Sequence, residues 1–391
     1  MVEYAFATEE QRELADEARK ILENELKPQI HDLENADGGL GEYPMDVHKI
    51  MAETGFSGMN IPEEWGGLGF DNVTIAVILE EMAKVDAGFA FNYYNSSNLF
   101  SLITQTTMPD EEKMEWANKM IAGEIIGSFA LTESMAGSDA AAMRTSAVKD
   151  GDEWVINGTK CFITNAPKAD YFVVVAWTDK TKRAGQGCTM FLVEKDRGVK
   201  IGKKENKMGL KLSGTAEVIF DDVRVPADHV IGEVGKGFGA GLGVISQDGR
   251  SMGSVVCLGI AQAALDAAVE YTKERRQFGK RVCDQQGLAF LMADMQIRTA
   301  ASRALVYETI ASIEKGTNKG FDSSVVKCFV SDNTMQTTVD AVQCLGGYGY
   351  MKEYPVEKYM RDAKIFQIFS GTNQIQRRTI ARGLFGRDSQ K

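Results

Sequence analysis

The apolar residues of this 391-residue chain change period twice, and that double switch is the strongest constraint on its fold. Leu14, Ala18, Ile21 and Leu22 recur at helical spacing. They follow Thr8-Glu9-Glu10-Gln11, which has the form of a capping box: a hydroxyl and a side chain three positions on satisfy the free N–H groups of a helix start. After a Gly-rich break at 63–69, Val73 to Val85 repeats the helical pattern, and a further apolar stretch runs to Leu102 and Ile103. Short alternating runs then take over, at Trp154-Val155-Ile156, at Tyr171 to Trp177 and at Val218-Ile219-Phe220. Asn157-Gly158 reads as a hairpin turn between two strands. Pro226 and the glycines from Gly232 to Gly243 read as a flexible interdomain segment. Helical spacing returns at Leu258, Ala261, Ala264, Leu265, Ala268 and Val269, with further helical segments near 287–315, 319–345 and 355–383. This order predicts an α+β chain of three domains: helical over 1–127, a β-barrel or sandwich over 128–234, and a four-helix bundle over 235–391.

Charge and composition exclude several functions. Lys+Arg is 44 against Asp+Glu 55, a net charge of −11, so the chain lacks the footprint of a nucleic-acid binder or of an anionic-membrane binder. Its six cysteines form no C-x-x-C pair, and its three histidines, His31, His48 and His229, have no ligand spacing; no metal site is expected. The start of the chain has no basic region, and no run of 18 apolar residues occurs, so a cytoplasmic protein without a membrane span is expected. Gly235 to Gly241 lacks the strand–helix context of a dinucleotide-binding loop. Gly346-Gly347-Tyr348-Gly349-Tyr350 is either a helix-ending turn or a place where backbone N–H groups approach a phosphate.

Five segments in order resemble one family. They are Phe129 to Asp139 (Phe-Ala-Leu-Thr-Glu-Ser-Met-Ala-Gly-Ser-Asp), Asn157 to Asn165, Glu274 to Gly279, Gln343 to Gly347, and Met360 to Lys364. Together they are similar to the acyl-CoA dehydrogenases, over essentially the whole chain. The resemblance implies non-covalent FAD, an acyl-CoA substrate, a homotetramer, and electron-transferring flavoprotein as redox partner. It implies that Phe129, Leu131, Thr132 and Ser138 lie in a loop over the flavin, with Thr132 and Thr164 near its N5–O4 edge and Phe162 covering the ring face. Arg275, Gln277 and Phe278 would clamp the adenine and pyrophosphate. Gln285, Gln286, Gln343, Gly346 and Gly347 would come from a neighbouring subunit, and Thr372 and Gln374 would close the site. Ser138, Asp248 and Arg250 would contact the CoA portion, with Tyr94 and Gly371 also at the substrate; Arg250 alternatively forms an internal ion pair in the bundle.

The chain departs from the family at the base. Ordinary members remove the α-proton with a glutamate in Tyr-Glu-Gly-Thr; here the sequence is Phe369-Ser370-Gly371-Thr372. Other members carry the glutamate one residue before the bundle arginine; here that residue is Gly249. A serine hydroxyl is far too weak a base unless another group activates it. Three outcomes follow: oxidation of a compact or alicyclic acyl-CoA with the proton taken elsewhere, reduction of an enoyl-CoA, or a silent flavoprotein scaffold. Asp86, one turn before Ala90, is the first candidate for a displaced base, Asp248 the second, and Tyr94 a proton donor. Phe89, Phe91, Tyr93 and Tyr94 would make the acyl pocket aromatic. Ala90 stands where members acting on dicarboxylic substrates carry arginine, which disfavours a distal acid group.

Overall fold

The computed structural model describes residues 7–386. Helices fill the first third: α1 (Glu9–Glu25), α2 (Ile30–Gly39), α3 (Met45–Glu53), α4 (Asn72–Val85), α5 (Ala87–Asn98), α6 (Phe100–Ile103) and α7 (Asp110–Ile121). Both halves of the Thr8–Gln11 capping box are formed at the start of α1. Strands follow: β1 (Gly127–Ala130), β2 (Ser146–Asp150), β3 (Glu153–Thr164), β4 (Tyr171–Trp177), a short α8 (Ala184–Gly187), β5 (Cys188–Glu194), β6 (Lys200–Lys204), β7 (Thr215–Pro226) and β8 (Val230–Ile231). The sheet order is β6-β7-β3-β2-β4-β5-β8, with β1 pairing β4 in parallel. The last third holds α9 (Gly237–Val244), α10 (Gly253–Glu274), a small ribbon of β9 (Arg276–Gln277) and β10 (Lys280–Arg281), α11 (Gln286–Glu314), α12 (Asp322–Leu345), α13 (Val356–Lys364) and α14 (Asn373–Phe385).

β4 is buried on both faces, so alternate residues feed two cores. Phe172 and Val174 pack inside the sheet with Phe191, Val193, Val218 and Phe220. Tyr171, Val173 and Val175 pack outward against Leu99, Phe100, Ile103, Ala117 and Met120 of the first domain. The helical domains are joined more strongly, through α4 and α10. There a buried Glu80 accepts from Arg303 Nη2 at 2.7 Å and from Tyr307 Oη at 2.9 Å.

Three local expectations are corrected. Asn157-Gly158 is no turn; it lies within β3 at a shift in register against β7. A Cβ at Gly158 would meet Thr145 Oγ1 at 2.4 Å, so the glycine serves a close strand approach at a bulge. The run of glycines is not flexible linker. α9 continues through a π-helical stretch, Ile245–Met252, into α10. A Cβ at Gly237 would meet Met190 N at 2.3 Å, so the small residues let this helix lie on β5. The resulting rod, Gly237–Glu274, is long and apolar enough to cross a membrane, but 83% of its apolar window is buried inside the protein, as for a core helix. The last helical segment is two helices, α13 and α14, divided at 365–372 by Ser370 and Gly371 in left-handed conformation, φ +53° and +86°.

Glu194 at the end of β5 accepts from Arg197 Nη2 at 2.9 Å and lies 3.3 Å from His229 Nε2. Burial alone would raise its carboxyl, but the hydrogen bonds from His229 and Arg197 outweigh it and hold the group down from 4.5 to about 2. A carboxyl depressed by folding contributes stability that is full above its unfolded pKa and lost as pH falls through the folded one. The gap in melting temperature between wild type and Glu194→Gln should therefore close as pH falls from 4.5 to about 2. An undiminished gap at the acid end contradicts this role.

Candidate functional site

The turn at Ser370 packs directly on the π-helical stretch. A Cβ built on Gly249 would stand 2.5 Å from Ser370 Oγ and 3.1 Å from Ser370 Cβ. The two positions at which the resemblance led a base to be expected thus converge on one spot, and neither bears a carboxylate. Wide helical turns often mark functional sites, because the extra residue re-aims the side chains around it. The Ser370 turn is held by donors on its carbonyls. Gln376 Nε2 reaches Ser370 O at 3.0 Å and Gly371 O at 2.8 Å, Lys327 Nζ reaches Gly371 O at 2.7 Å, and Arg250 Nε reaches Ser370 O at 3.3 Å. A left-handed serine costs free energy, and this cradle over-determines it. Thr372 caps α14 through Ile375 N, while Gln374 is exposed.

Arg250 is partly buried, and burial lowers its pKa. Its remaining bonds are Nη1 to Ser246 Oγ at 3.1 Å and to Ser324 Oγ at 3.5 Å; it has no carboxylate partner among the described residues. Among the described residues, then, the Arg250 guanidinium meets the Ser370 turn with hydroxyl and carbonyl partners and no carboxylate. Buried Lys327 likewise has no carboxylate in ion-pair reach among the described residues, and burial pushes its ammonium down to about 8. The Asp248 side chain lies outside the described residues.

Asp86 is not a free carboxylate. It caps α5, accepting from Phe89 N at 2.7 Å, and it pairs with Lys358 Nζ at 2.7 Å. A buried carboxylate engaged by a helix N-terminus and by a lysine is committed to structural contacts, which argues against it as a displaced base. The aromatic residues of α5 also divide. Phe89 and Tyr93 turn toward Tyr43 and His48, with Tyr43–Phe89 ring centroids 5.6 Å apart and His48–Tyr93 5.1 Å. Phe91 packs on Phe369 at 5.0 Å, next to Ser370, and Phe366 completes that cluster. Tyr94 is buried.

A second constellation lies on the strands. Cys161 N donates to Thr132 O at 2.9 Å, so the loop after β1 rests against β3. Lys160, fully buried, donates to Leu131 O at 2.9 Å and to Glu133 Oε1 at 3.0 Å. Burial would raise the Glu133 carboxyl, but Lys160 and donors from Arg144 and Thr145 hold it below the usual range. Sequence reasoning missed this pair; the signal was a lysine at an inward position of β3. Phe162, with φ +57°, is 62% exposed beside it, and Ser128 Oγ donates to Thr164 O at 2.5 Å. Phe129 is half-buried beside Gly241, and Ser138 is exposed.

A third constellation is a cavity of about 530 Å³ at the far end of the bundle. Arg275, Gln277, Phe278, Gln285, Gln343, Gly346 and Gly347 all line it. These residues were expected to be divided between two subunits; they form one clamp on one chain. Gln286, exposed as the first residue of α11, does not line it. The lining suits a nucleotide diphosphate. Arg275 has no acidic partner among the described residues and lies 5.6 Å over the Tyr348 ring. A Cβ at Gly346 or Gly347 would meet nothing within 4 Å, so the backbone there is open to a ligand, and the 92% exposed Phe278 offers a face to a base.

Comparison with known proteins decides the family. Models of the acyl-CoA dehydrogenase N-terminal, middle and C-terminal domains match residues 8–124, 128–223 and 235–385. The chain belongs to the acyl-CoA dehydrogenase family. It is 42% identical to a probable acyl-CoA dehydrogenase of Mycobacterium leprae, over 96% of this chain and 95% of that one. It is 39% identical to the caffeyl-CoA reductase–Etf complex subunit CarC of Acetobacterium woodii, over 96% and 98%. Butyryl-CoA dehydrogenase from Megasphaera elsdenii has the same fold, with a TM-score of 0.91, 38% identity, and coverage of 97% and 98%. Acyl-CoA dehydrogenases are FAD-binding flavoproteins, and this member is an FAD-dependent oxidoreductase.

Proposed function

We propose that this family member reduces the α,β double bond of an enoyl-CoA thioester with a compact or cyclic apolar acyl group, working in the cytoplasm with electron-transferring flavoprotein as redox partner. The observation that carries the reading is the contact of Gly249 with Ser370, which leaves no carboxylate at either base position. FAD, held by the Arg275 clamp and the loop after β1, would supply the hydride chemistry of the reaction when bound. The α-carbon of the resulting thioester enolate then needs only a proton donor. A serine hydroxyl meets that demand, because protonating an enolate runs downhill; the reverse step needs a base matched to a weak carbon acid, which serine is not. Arg250, with no carboxylate partner among the described residues, puts positive potential beside the carbon framework where negative charge develops. Phe91 and Phe369 give the pocket beside Ser370 an aromatic wall suited to a flat or cyclic group. Similarity to a caffeyl-CoA reductase subunit supports the direction and the partner. Oxidation with a displaced base loses its leading candidate in the Asp86–Lys358 pair.

The test is reduction of holoenzyme with dithionite without air, followed by mixing with straight, branched, alicyclic and aryl-conjugated enoyl-CoAs. Cyclic and conjugated thioesters should restore the yellow flavin band rapidly, and saturated acyl-CoAs should bleach oxidised enzyme slowly or not at all. Fast bleaching by a saturated thioester contradicts the reading, and so does silence toward every enoyl-CoA.

The holoenzyme is also expected to be an oligomer, with about four subunits by family resemblance. Lys327, at the Ser370 end of α12, and Gln343, in the clamp, are separated by about 24 Å of helix at 1.5 Å per residue. The clamp is then placed to hold the far end of a cofactor whose ring lies on a neighbouring chain, which links flavin occupancy to assembly. Light scattering of flavin-loaded protein should find no monomer; a loaded monomer contradicts this arrangement.

A further inference from the structure

The Met360–Lys364 segment lies neither at the Ser370 turn nor in the clamp, yet its side chains meet all three domains. Lys358 Nζ pairs with Asp86 Oδ2 at 2.7 Å and with Asp362 Oδ2 at 2.6 Å. Asp362 is 1% exposed, and its other oxygen accepts from Leu210 N at 2.6 Å. Arg361 donates to Met208 O at 3.0 Å and to Glu34 at 3.1 Å. A Cβ at Gly209 would meet Arg361 O at 2.5 Å, so the 207–214 loop is pressed against the α13 backbone. Lys207 Nζ closes the same loop from within, donating to Leu210 O at 2.7 Å and to Ser213 O. Leu210 has φ +46°, a conformation an ordinary residue keeps only when its surroundings impose it.

The far end of that loop reaches the end of β3. Ser213 Oγ donates to Asn92 Oδ1 on α5 at 2.6 Å. Asn165 N donates to Gly214 O at 2.9 Å, and Asn165 Nδ2 donates to Asn92 O at 3.2 Å and Gly127 O at 3.0 Å. Asn165 directly follows Thr164 and is itself left-handed, φ +68°. A continuous set of short hydrogen bonds thus runs from α13 through the 207–214 loop to the end of β3 and to α5.

We propose that Asp362 and Lys358 are positioning residues for the redox site. By holding the 207–214 loop they set where Thr164 and Phe162 stand relative to the flavin and where α5 stands relative to the acyl group. Lys358 is shared by two buried carboxylates, Asp86 and Asp362, and buried ionic contacts of this kind hold geometry even where they add little net stability. The proposal rests on the family placement of the 162–164 end of β3 at the flavin, and not on the direction of the reaction.

The test uses flavin-loaded enzyme. Asp362→Asn should keep FAD, because the Arg275 clamp is untouched, but it should shift the visible band and the fluorescence of the bound flavin. Turnover should fall about 10²-fold with KM for the thioester little changed, the scale expected of a displacement of about 1 Å. Asp362→Asn removes a buried charge and is at risk of failing to fold, so Ser213→Ala is the second variant. It cuts the relay at its far end without touching an ion, and should give the same spectral shift in smaller measure. Thr164→Val is the control for flavin contact. Spectral change in Thr164→Val with none in Asp362→Asn or Ser213→Ala overturns the proposal. So does a fall in melting temperature with spectrum and turnover intact, which is what a merely structural cluster gives. A wild type inactive toward every enoyl-CoA defeats the reductase reading, and the spectra still decide this one.

Discussion

Ser370→Glu is expected to turn the enzyme into one that oxidises a saturated acyl-CoA, with a gain of about 10² to 10⁴ in rate, the usual contribution of a positioned general base. Gly249 opposite has no Cβ to collide with the longer side chain. The left-handed backbone at 370 is already imposed by Gln376, Lys327 and Arg250, so the glutamate inherits the orientation that the serine has now. Burial would raise its pKa, and the nearby Arg250 guanidinium would lower it, which leaves a carboxylate that is ionised near neutral pH yet still basic enough to work. The opposite exchange has a different outcome. In Gly249→Glu the new Cβ collides with Ser370, so that variant should be inactive alone and improve when Ser370→Gly is added. The measurement is anaerobic bleaching of the flavin by a saturated thioester. No gain in Ser370→Glu would mean that the turn does not face the α-carbon.

Arg275→Ala is expected to release FAD. Among the described residues the guanidinium is the one cation lining the clamp, and none of their carboxylates pairs with it. A hydrogen bond to a charged group contributes about 1.5–3 kcal/mol, which corresponds to roughly 10- to 100-fold in affinity. Arg275→Lys should recover part of this, since a point charge remains but the planar fork and its stacking on Tyr348 do not. Flavin fluorescence after dilution and dialysis reads the loss. Full occupancy in Arg275→Ala after extensive dialysis contradicts the assignment.

The helix–strand–helix order was legible because it rests on local pattern alone: Leu14 to Leu22 and Leu258 to Val269 carry the helical period, and Tyr171 to Trp177 is a short β-branched and aromatic run. The capping box at Thr8 was legible because all its partners lie within four residues. What failed needed knowledge of distant neighbours. Asn157-Gly158 has the composition of a turn, but Thr145 across the sheet decides that it is a bulge. The glycines from Gly237 to Gly243 look like a linker until β5 is seen pressed against them. Asp86 looked like a spare acid because its partner, Lys358, is 272 positions away. At the Ser370 turn the sequence showed two missing glutamates, but not that the vacated positions touch. Nor did it show Gln376 and Lys327, whose amide and ammonium act on backbone carbonyls and leave no motif.

The central claim is that the wild-type site has no base for the α-proton. Incubation of oxidised holoenzyme with a saturated acyl-CoA in deuterated water, followed by mass spectrometry of the thioester, tests it most directly. The account predicts that wild type leaves the α-positions unlabelled over many turnover times of enoyl-CoA reduction, while Ser370→Glu labels them. Rapid α-deuteration by the wild type would show that another residue already serves as base, and would contradict it.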